Sequence, residues 1–349
     1  MELTQIESGE HEQVLRVQDA DSGLIGIIAI HSTRLGPAAG GLRMRAYPDE
    51  AAALEDALRL SRGMTFKNAA AGLPLGGGKA VIIGDPARDK SPALLSVFGR
   101  AVEALGGRYW TAEDMGMTPQ DMARIGTETR FVAGLADGAF ASGDPSPVTA
   151  RGIFNAIRTT ARHRFGAPEL AGMRVAVQGL GHVGLHLCEL LHGAGAALTV
   201  ADIHDAAVQE AQARFGARAV APDQILTVEA EILAPCAIGA ILNAASIPDL
   251  RVQAVAGGAN NQLATAEDGA RLHARGILYA PDFIANGGGI INVATEILRI
   301  ADRPAWVAEK LEELDATMDR TLTRARQRDV SPNDVAEEIA SERLRPDVA

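Results

Sequence analysis

Two lysines stand twelve residues apart in the stretch Met64-Thr65-Phe66-Lys67 … Gly76-Gly77-Gly78-Lys79, the second directly behind three glycines. The run after Lys79, Ala-Val-Ile-Ile, reads as a buried strand. Glycine lets backbone and ligand approach closely, so both ammonium groups are expected at the rim of one pocket. One amine then grips a carboxylate while the other serves as a base, because nearby positive charge and loss of water loosen a lysine's hold on its proton. A lone lysine at the position of Lys67 also fits a plain role at a helix end. The glycines and the second lysine favour chemistry.

A second constellation lies downstream. Met173-Arg-Val-Ala-Val-Gln178 reads as a strand, followed at once by Gly179-Leu-Gly181-His-Val-Gly184 and an apolar helix. This is G-x-G-x-x-G in its strand–turn–helix setting: one glycine turns, one admits a pyrophosphate, one lets helix and strand pack. The helix N-terminus then offers free N–H groups to phosphate. About twenty residues on, Val200-Ala-Asp202 supplies the carboxylate expected on the adenine-ribose hydroxyls. Asp202 repels a 2′-phosphate and no arginine follows it closely, so the expected cofactor is NAD. Gly179, Gly181, His182, Val183, Gly184, Asp202 and Ala237 are its expected contacts.

The elements that carry these residues fall into two textures. Up to about residue 140, short strands (Leu24–Ile30, Ala80–Ile83, Arg108–Thr111) mix with amphipathic helices, including one from Asp49 to about Asn68 with Asp49 as its cap. Ser142-Gly-Asp-Pro-Ser-Pro147 is a turn-rich break and the expected hinge. Beyond a connecting helix over Val148–Arg164, strands and helices alternate at the spacing of a parallel, doubly wound sheet. The predicted fold class is α/β in two domains: an N-terminal substrate-binding and oligomerisation domain over 1–141, and a Rossmann-type NAD-binding domain over 142–324. The catalytic cleft is expected between them, and a C-terminal helix over about 325–349 is expected to pack back on the first.

The chain has 349 residues, a net charge of −11 and two cysteines, Cys188 and Cys236. Its length accommodates two cores. The acidic balance gives no support to nucleic acid or an anionic membrane as partner. The start lacks a signal-peptide pattern, Leu24–Ile30 is too short to span a bilayer, and the cysteines read as buried thiols. The expected location is cytoplasmic. The eight histidines show no clustered spacing, and no metal site is expected.

Taken together, the halves resemble the amino-acid dehydrogenase superfamily, in its leucine/phenylalanine/valine branch, to which tryptophan dehydrogenase is also similar. The carriers of the resemblance are Gly36-Pro-Ala-Ala-Gly-Gly-Leu-Arg43, Met64-Thr-Phe-Lys-Asn-Ala, Leu73-Pro-Leu-Gly-Gly-Gly-Lys79, Thr111-Ala-Glu-Asp-Met-Gly116, Pro145-Ser-Pro-Val-Thr149, Val255-Ala-Gly-Gly-Ala-Asn-Asn-Gln262 and Asn286-Gly-Gly-Gly-Ile-Ile-Asn-Val293. It implies reversible oxidative deamination of an L-amino acid to a 2-oxo acid, ammonia and NADH, by a homo-oligomer. It further implies that Lys67 with Gly40 and Gly41 anchors the substrate carboxylate. Lys79 would activate water, and Asp114 would transfer protons. Asn260 would touch substrate amine and nicotinamide, and Thr149 the nicotinamide amide.

Glutamate-specific members of this family carry a lysine where this chain has Ala39, and a serine where it has Val293. A buried acidic side chain would lack a partner here, at a cost of several kcal/mol. Ala39, Met64, Ile290 and Val293 instead suggest an apolar pocket. Leucine-type members carry leucine at the position of Ala39, so a deeper pocket is expected. Leucine, valine, phenylalanine and tryptophan all stay open as substrates. The competing readings are a glutamate-type dehydrogenase of relaxed specificity and a catalytically silent NAD-binding sensor or assembly protein.

Overall fold

In the computed structural model, which describes residues 1–345, the chain forms two compact units. The first comprises Met1–Asp144, Asn292–Val307 and the chain from Arg343; the second comprises Pro145–Ile291 and Ala308–Glu342.

In the first unit, β1 (Glu2–Gln5), β2 (Gln13–Asp19), β3 (Leu24–Ser32) and β4 (Ala38–Arg45) precede the long helix α1 (Glu50–Ala70). β5 (Gly76–Ile83), α2 (Pro92–Glu103), β6 (Tyr109–Glu113) and α3 (Pro119–Ile125) follow. The strands make one sheet in the order β1-β2-β3-β5-β4-β6, antiparallel as far as β5, with β4 parallel to both β5 and β6. Strand alternation sorts the side chains between two layers. Ala80, Ile82, Leu42 and Met44 join Leu94, Phe98 and Val102 of α2 and Met122 and Ile125 of α3 in one core. Val81, Ile27 and Ala29 face Ala53 and Ala57 of α1 on the other side. By the same period of two, Gly77 and Lys79 on β5 and Ala39, Gly41 and Arg43 on β4 lie on the α1 face.

Asp49 caps α1, its side chain accepting from the Ala52 N–H at 2.8 Å. The strand expected over Ala80–Ile83 extends backward to take in all three glycines. β4 escapes the sequence reading because its centre, Gly40-Gly41, carries no strand-forming side chain.

A histidine pair braces α1 against β3. His11 Nε2 lies 2.9 Å from Ser61 Oγ, His31 Nδ1 lies 2.8 Å from Thr65 Oγ1, and the rings meet edge to face. Burial, then His11 and Arg62, lower the His31 imidazole to about 4. A histidine neutral in the fold but free to charge when unfolded leaves stability complete above its ordinary value, and that stability is lost as pH falls towards 4. Thermal unfolding should therefore show roughly 1–2 kcal/mol lost over this window, after allowance for partial exposure. His31→Asn should remove that part of the slope; an unaltered slope would contradict the assignment.

The second unit holds α4 (Ser146–Phe165), β7 (Arg174–Gln178), α5 (His182–Gly193), β8 (Ala197–Ala201), α6 (Asp205–Phe215), β9 (Arg218–Ala219), β10 (Ile232–Pro235), β11 (Ala254–Val255), α7 (Glu267–Ala274), β12 (Leu278–Tyr279) and α8 (Asp282–Ala285). Helix α9 (Gly288–Ile297) has residues in both units; α10 (Arg303–Arg328) and α11 (Pro332–Arg343) complete the chain. All six strands are parallel, in the order β9-β8-β7-β10-β11-β12. This is the doubly wound Rossmann order, in which the strand order reverses between β7 and β10 and ligands bind beyond the strand ends at that point.

The C-terminal helices depart from expectation. Residues 308–342 group with the second unit, whereas those from 325 on were expected with the first. The cause is visible on α10, where Asp315 accepts from Thr159 at 2.5 Å and Asp319 lies 2.7 Å from His163, both on α4. Within the first unit, Arg343 donates to the carbonyls of Ala69 and Ala70, and the Leu344 carbonyl accepts from Arg34. Residues 346–349 of the expected helix lie outside the described residues. Cys188 is buried and Cys236 half-buried; desolvation pushes their thiols up, to about 12 and about 11. Among the described residues no helix is long and apolar enough to cross a membrane, and no cluster of three metal-ligating side chains occurs.

Candidate active site

The register of three parallel strands builds the first unit's charged centre. Leu42 on β4 pairs with Ala80 on β5 and with Glu113 on β6, so Gly41, one step earlier, stands between Lys79 and Ala112. A Cβ on Gly41 would lie 2.8 Å from the Asp114 Cβ. The missing side chain therefore opens the space in which Lys79 Nζ and Asp114 Oδ2 meet as an ion pair. Lys79 keeps 7% of its side chain exposed and Asp114 keeps 23%. Arg43, two residues along β4, donates through Nε to the same Oδ2 at 3.1 Å. Burial pushes the Asp114 carboxyl up, but Lys79 and Arg43 outweigh it and hold it at about 2. Asp114 is thus a carboxylate at neutral pH.

Arg43 belongs to a longer relay that the sequence reading missed. Its Nη1 donates to Asp56 Oδ2 on α1 at 3.0 Å, and Asp56 also accepts from Tyr47 Oη at 2.7 Å and from Arg59 Nη2 at 3.1 Å. The one signal in the sequence was the arginine that closes Gly-Gly-Leu-Arg43.

The glycines around Lys79 do something other than admit a ligand. A Cβ on Gly76 would lie 1.9 Å from Ser32 O; on Gly77, 2.1 Å from Thr65 N; on Gly78, 2.7 Å from the Tyr109 ring. A Cβ on Gly40 would lie 1.8 Å from Gly78 O. These glycines let the protein approach itself. Gly77 in particular seats α1, which carries Lys67, directly on β5, which carries Lys79. Tyr109, wholly buried, donates through Oη to Gly40 O at 2.7 Å and fixes that peptide. Met64 and Lys67, three residues apart, share a side of α1, and the Met64 side chain reaches Gly40. Ala39 is 1% exposed, beside Gly77 and Trp110. Val293, half-buried, completes the predicted residues of this unit.

The remaining predicted residues belong to the second unit. Gly179 adopts φ 94° and a Cβ there would lie 2.7 Å from the Ala237 side chain; a Cβ on Gly184 would lie 2.0 Å from Gly179 O. Gly181 differs, since a Cβ there meets nothing within 4 Å. It caps α5 with no side-chain hydrogen bond, and His182 after it is exposed while Val183 is half-buried. Two crowded glycines flanking an open one at a helix N-terminus fit a dinucleotide pyrophosphate. The Asp202 carboxylate accepts from Leu180 N–H at 2.6 Å and His204 N–H at 2.8 Å, which ties the glycine loop to the end of β8. Asn286, 5% exposed, donates to Gly258 O at 3.2 Å and to Asn260 Oδ1 at 2.9 Å, fixing which way the Asn260 amide points. Thr149 Oγ1 donates to Pro145 O at 2.9 Å and lies against Gly289, near the half-buried Ile290.

Comparison with known proteins bears on both units. A family model described as "Glu/Leu/Phe/Val dehydrogenase, dimerisation domain" matches residues 11–131, and one described as "Glutamate/Leucine/Phenylalanine/Valine dehydrogenase" matches residues 204–344. The chain is 48% identical over 339 residues to leucine dehydrogenase of Bacillus cereus, covering 97% of this chain and 92% of that one. It is 49% identical over 292 residues to phenylalanine dehydrogenase of Lysinibacillus sphaericus, covering 82% and 77%. The crystal structure of L-tryptophan dehydrogenase from Nostoc punctiforme superposes with a TM-score of 0.83 at 41% identity, covering 96% of each chain.

Proposed function

Because this chain belongs to the Glu/Leu/Phe/Val dehydrogenase family of amino-acid dehydrogenases, we propose that it oxidatively deaminates apolar L-amino acids with NAD. The products are a 2-oxo acid, ammonia and NADH. The observation that carries this reading is the Lys79–Asp114 ion pair across Gly41, backed by Arg43.

The glycine loop from Gly179 to Gly184 holds the pyrophosphate, and Asp202 takes the adenine-ribose hydroxyls with the lone pairs that its two backbone bonds leave free. Ile203 and His204, which follow Asp202, offer no guanidinium to a 2′-phosphate, which favours NAD over NADP. Ala237, Thr149 and Asn260 complete the dinucleotide contacts. When bound, the nicotinamide supplies the acceptor for the α-hydrogen and its electron pair. The chain's own residues handle everything else. Lys67 grips the substrate carboxylate beside Gly40 and Gly41, and Asn260 orients the amino group. Lys79 takes a proton from the water that attacks the iminium carbon. Asp114 passes that proton to the amino nitrogen of the carbinolamine. The C–N bond then breaks, ammonia leaves, and the hydroxyl proton returns to Lys79 as the carbonyl forms.

Ala39, Met64, Ile290 and Val293 offer no cation to an acidic side chain, so glutamate is a poor substrate. The description of the matched N-terminal family model as a dimerisation domain supports a homo-oligomer built through the first unit.

An initial-rate panel of L-amino acids with NAD and NADP tests the reading. Leucine, valine, phenylalanine or tryptophan with NAD should exceed glutamate in kcat/KM by about 10²-fold or more, the cost of an unpaired buried charge. A preference for glutamate, or no turnover at all, would overturn it. In the same panel Ala39→Lys should lower kcat/KM for leucine by about 10²-fold while the melting curve shows a folded protein. Unchanged kinetics would remove Ala39 from the pocket.

A further inference from the structure

The relay behind Asp114 is anchored at both ends. Arg43, 14% exposed, bridges two carboxylates with one guanidinium: Nε on Asp114 at 3.1 Å and Nη1 on Asp56 at 3.0 Å. A guanidinium stays charged at every working pH and its planar fork fixes direction as well as distance. Asp56, 12% exposed, is itself held by Tyr47 and Arg59, so the far end cannot drift. Both Arg43 Nε and Lys79 Nζ address the single oxygen Asp114 Oδ2. An arginine needed only to tie β4 to α1 would be satisfied by Asp56.

We propose that Arg43, held by Asp56, is a positioning residue of the reaction: it fixes Asp114 against Lys79, and its permanent charge sets the pH at which that pair takes up a proton. The inference rests on the reading of Asp114 as the proton-transferring group. Within the first unit the other charged or titratable groups that act on Asp114 are Lys79 on β5 and Tyr109 on β6, with its chain neighbour Glu113 beside it and Asp56 and Tyr47 behind Arg43. Removing one positive charge from this set makes the Lys79–Asp114 pair bind protons more tightly, whichever member titrates. Removing the negative charge of Asp56 does the reverse.

The test is the pH profile of kcat/KM for L-leucine with NAD, measured on the full chain. Arg43→Gln should move the acid limb up by about one unit and lower plateau kcat by about tenfold or more, with KM little changed. Arg43→Lys keeps the charge without the fork; it should return the limb to within a few tenths of wild type while kcat stays reduced. Asp56→Asn should move the limb down, by a few tenths of a unit or more. Opposite shifts for Arg43→Gln and Asp56→Asn cannot come from loosened packing, which would act alike in both. Should Arg43→Gln not fold, Asp56→Asn decides: a limb moved down supports the inference and an unmoved one overturns it. If all three variants keep the wild-type limb, the inference is wrong. Asp114→Asn separates the two levels. Full activity there would remove the role of Asp114 and this proposal with it. An inactive Asp114→Asn beside an unmoved Arg43→Gln limb would remove the proposal alone.

Discussion

Lys79→Ala lowers kcat for NADH formation from L-leucine by about 10²–10⁴-fold, the range spanned by a positioned general base, while NADH still binds with wild-type affinity. The two halves of this outcome come from different units. The amine that Lys79 presents at Gly41 vanishes, and Arg43, the other side chain on Asp114 Oδ2, cannot stand in because it does not release a proton. The loop from Gly179 to Gly184 and the Asp202 carboxylate belong to the other unit and keep their own bonds. The fold should survive. Breaking a buried pair can cost about 3–5 kcal/mol, but Asp114 retains Arg43 and is partly exposed, so a loss of about 1–2 kcal/mol is expected. Steady-state NADH absorbance, a fluorescence titration with NADH and a melting curve check the three parts. Residual activity above a tenth of wild type would rule Lys79 out as the base.

Gly77→Ala is the second large effect, and it falls on stability. Its Cβ would lie 2.1 Å from both Thr65 N and Thr65 Oγ1, a helix backbone that cannot step aside as a flexible side chain can. Overpacking of a methyl group commonly costs about 1–3 kcal/mol, and a clash with backbone belongs at or above the top of that range. The sheet and α1 must part, which also separates the elements bearing Lys79 and Lys67. Gly181→Ala is the contrast. Its φ of −67° suits alanine and its Cβ meets nothing within 4 Å, so the fold should lose only a few tenths of a kcal/mol while NADH affinity falls. Differential scanning calorimetry on both variants tests the pair. Equal melting temperatures would contradict the packing role of Gly77.

The contrast shows what a sequence reading can reach here. Lys67 and Lys79 drew attention because they flank the glycine run, and Asp114 only through the family resemblance; the fold brings Lys79 and Asp114 together. The Rossmann half was legible because strand, turn and helix follow one another within a few residues of Gly179. Arg43 and Asp56 were not, since neither signals a partner until β4 is set between β5 and β6 and α1 is laid across them. β4 itself was hidden by the two glycines that make the site feasible. The triple glycine was read as room for a ligand, whereas Ser32, Thr65 and Tyr109 occupy that space. The destination of α10 was also out of reach. Its polar face carries Asp315 and Asp319, and only the fold shows that Thr159 and His163 are waiting for them.

The central claim is that a charged pair on β5 and just past the end of β6 deaminates an apolar amino acid at the expense of NAD. The most direct measurement is the stoichiometry of a single incubation of the wild-type protein with L-leucine and NAD, scoring NADH, ammonia and the 2-oxo acid together. Equal amounts of all three are predicted, with none formed by Lys79→Ala. Ammonia without NADH, or none of the three from any apolar L-amino acid, would contradict the account.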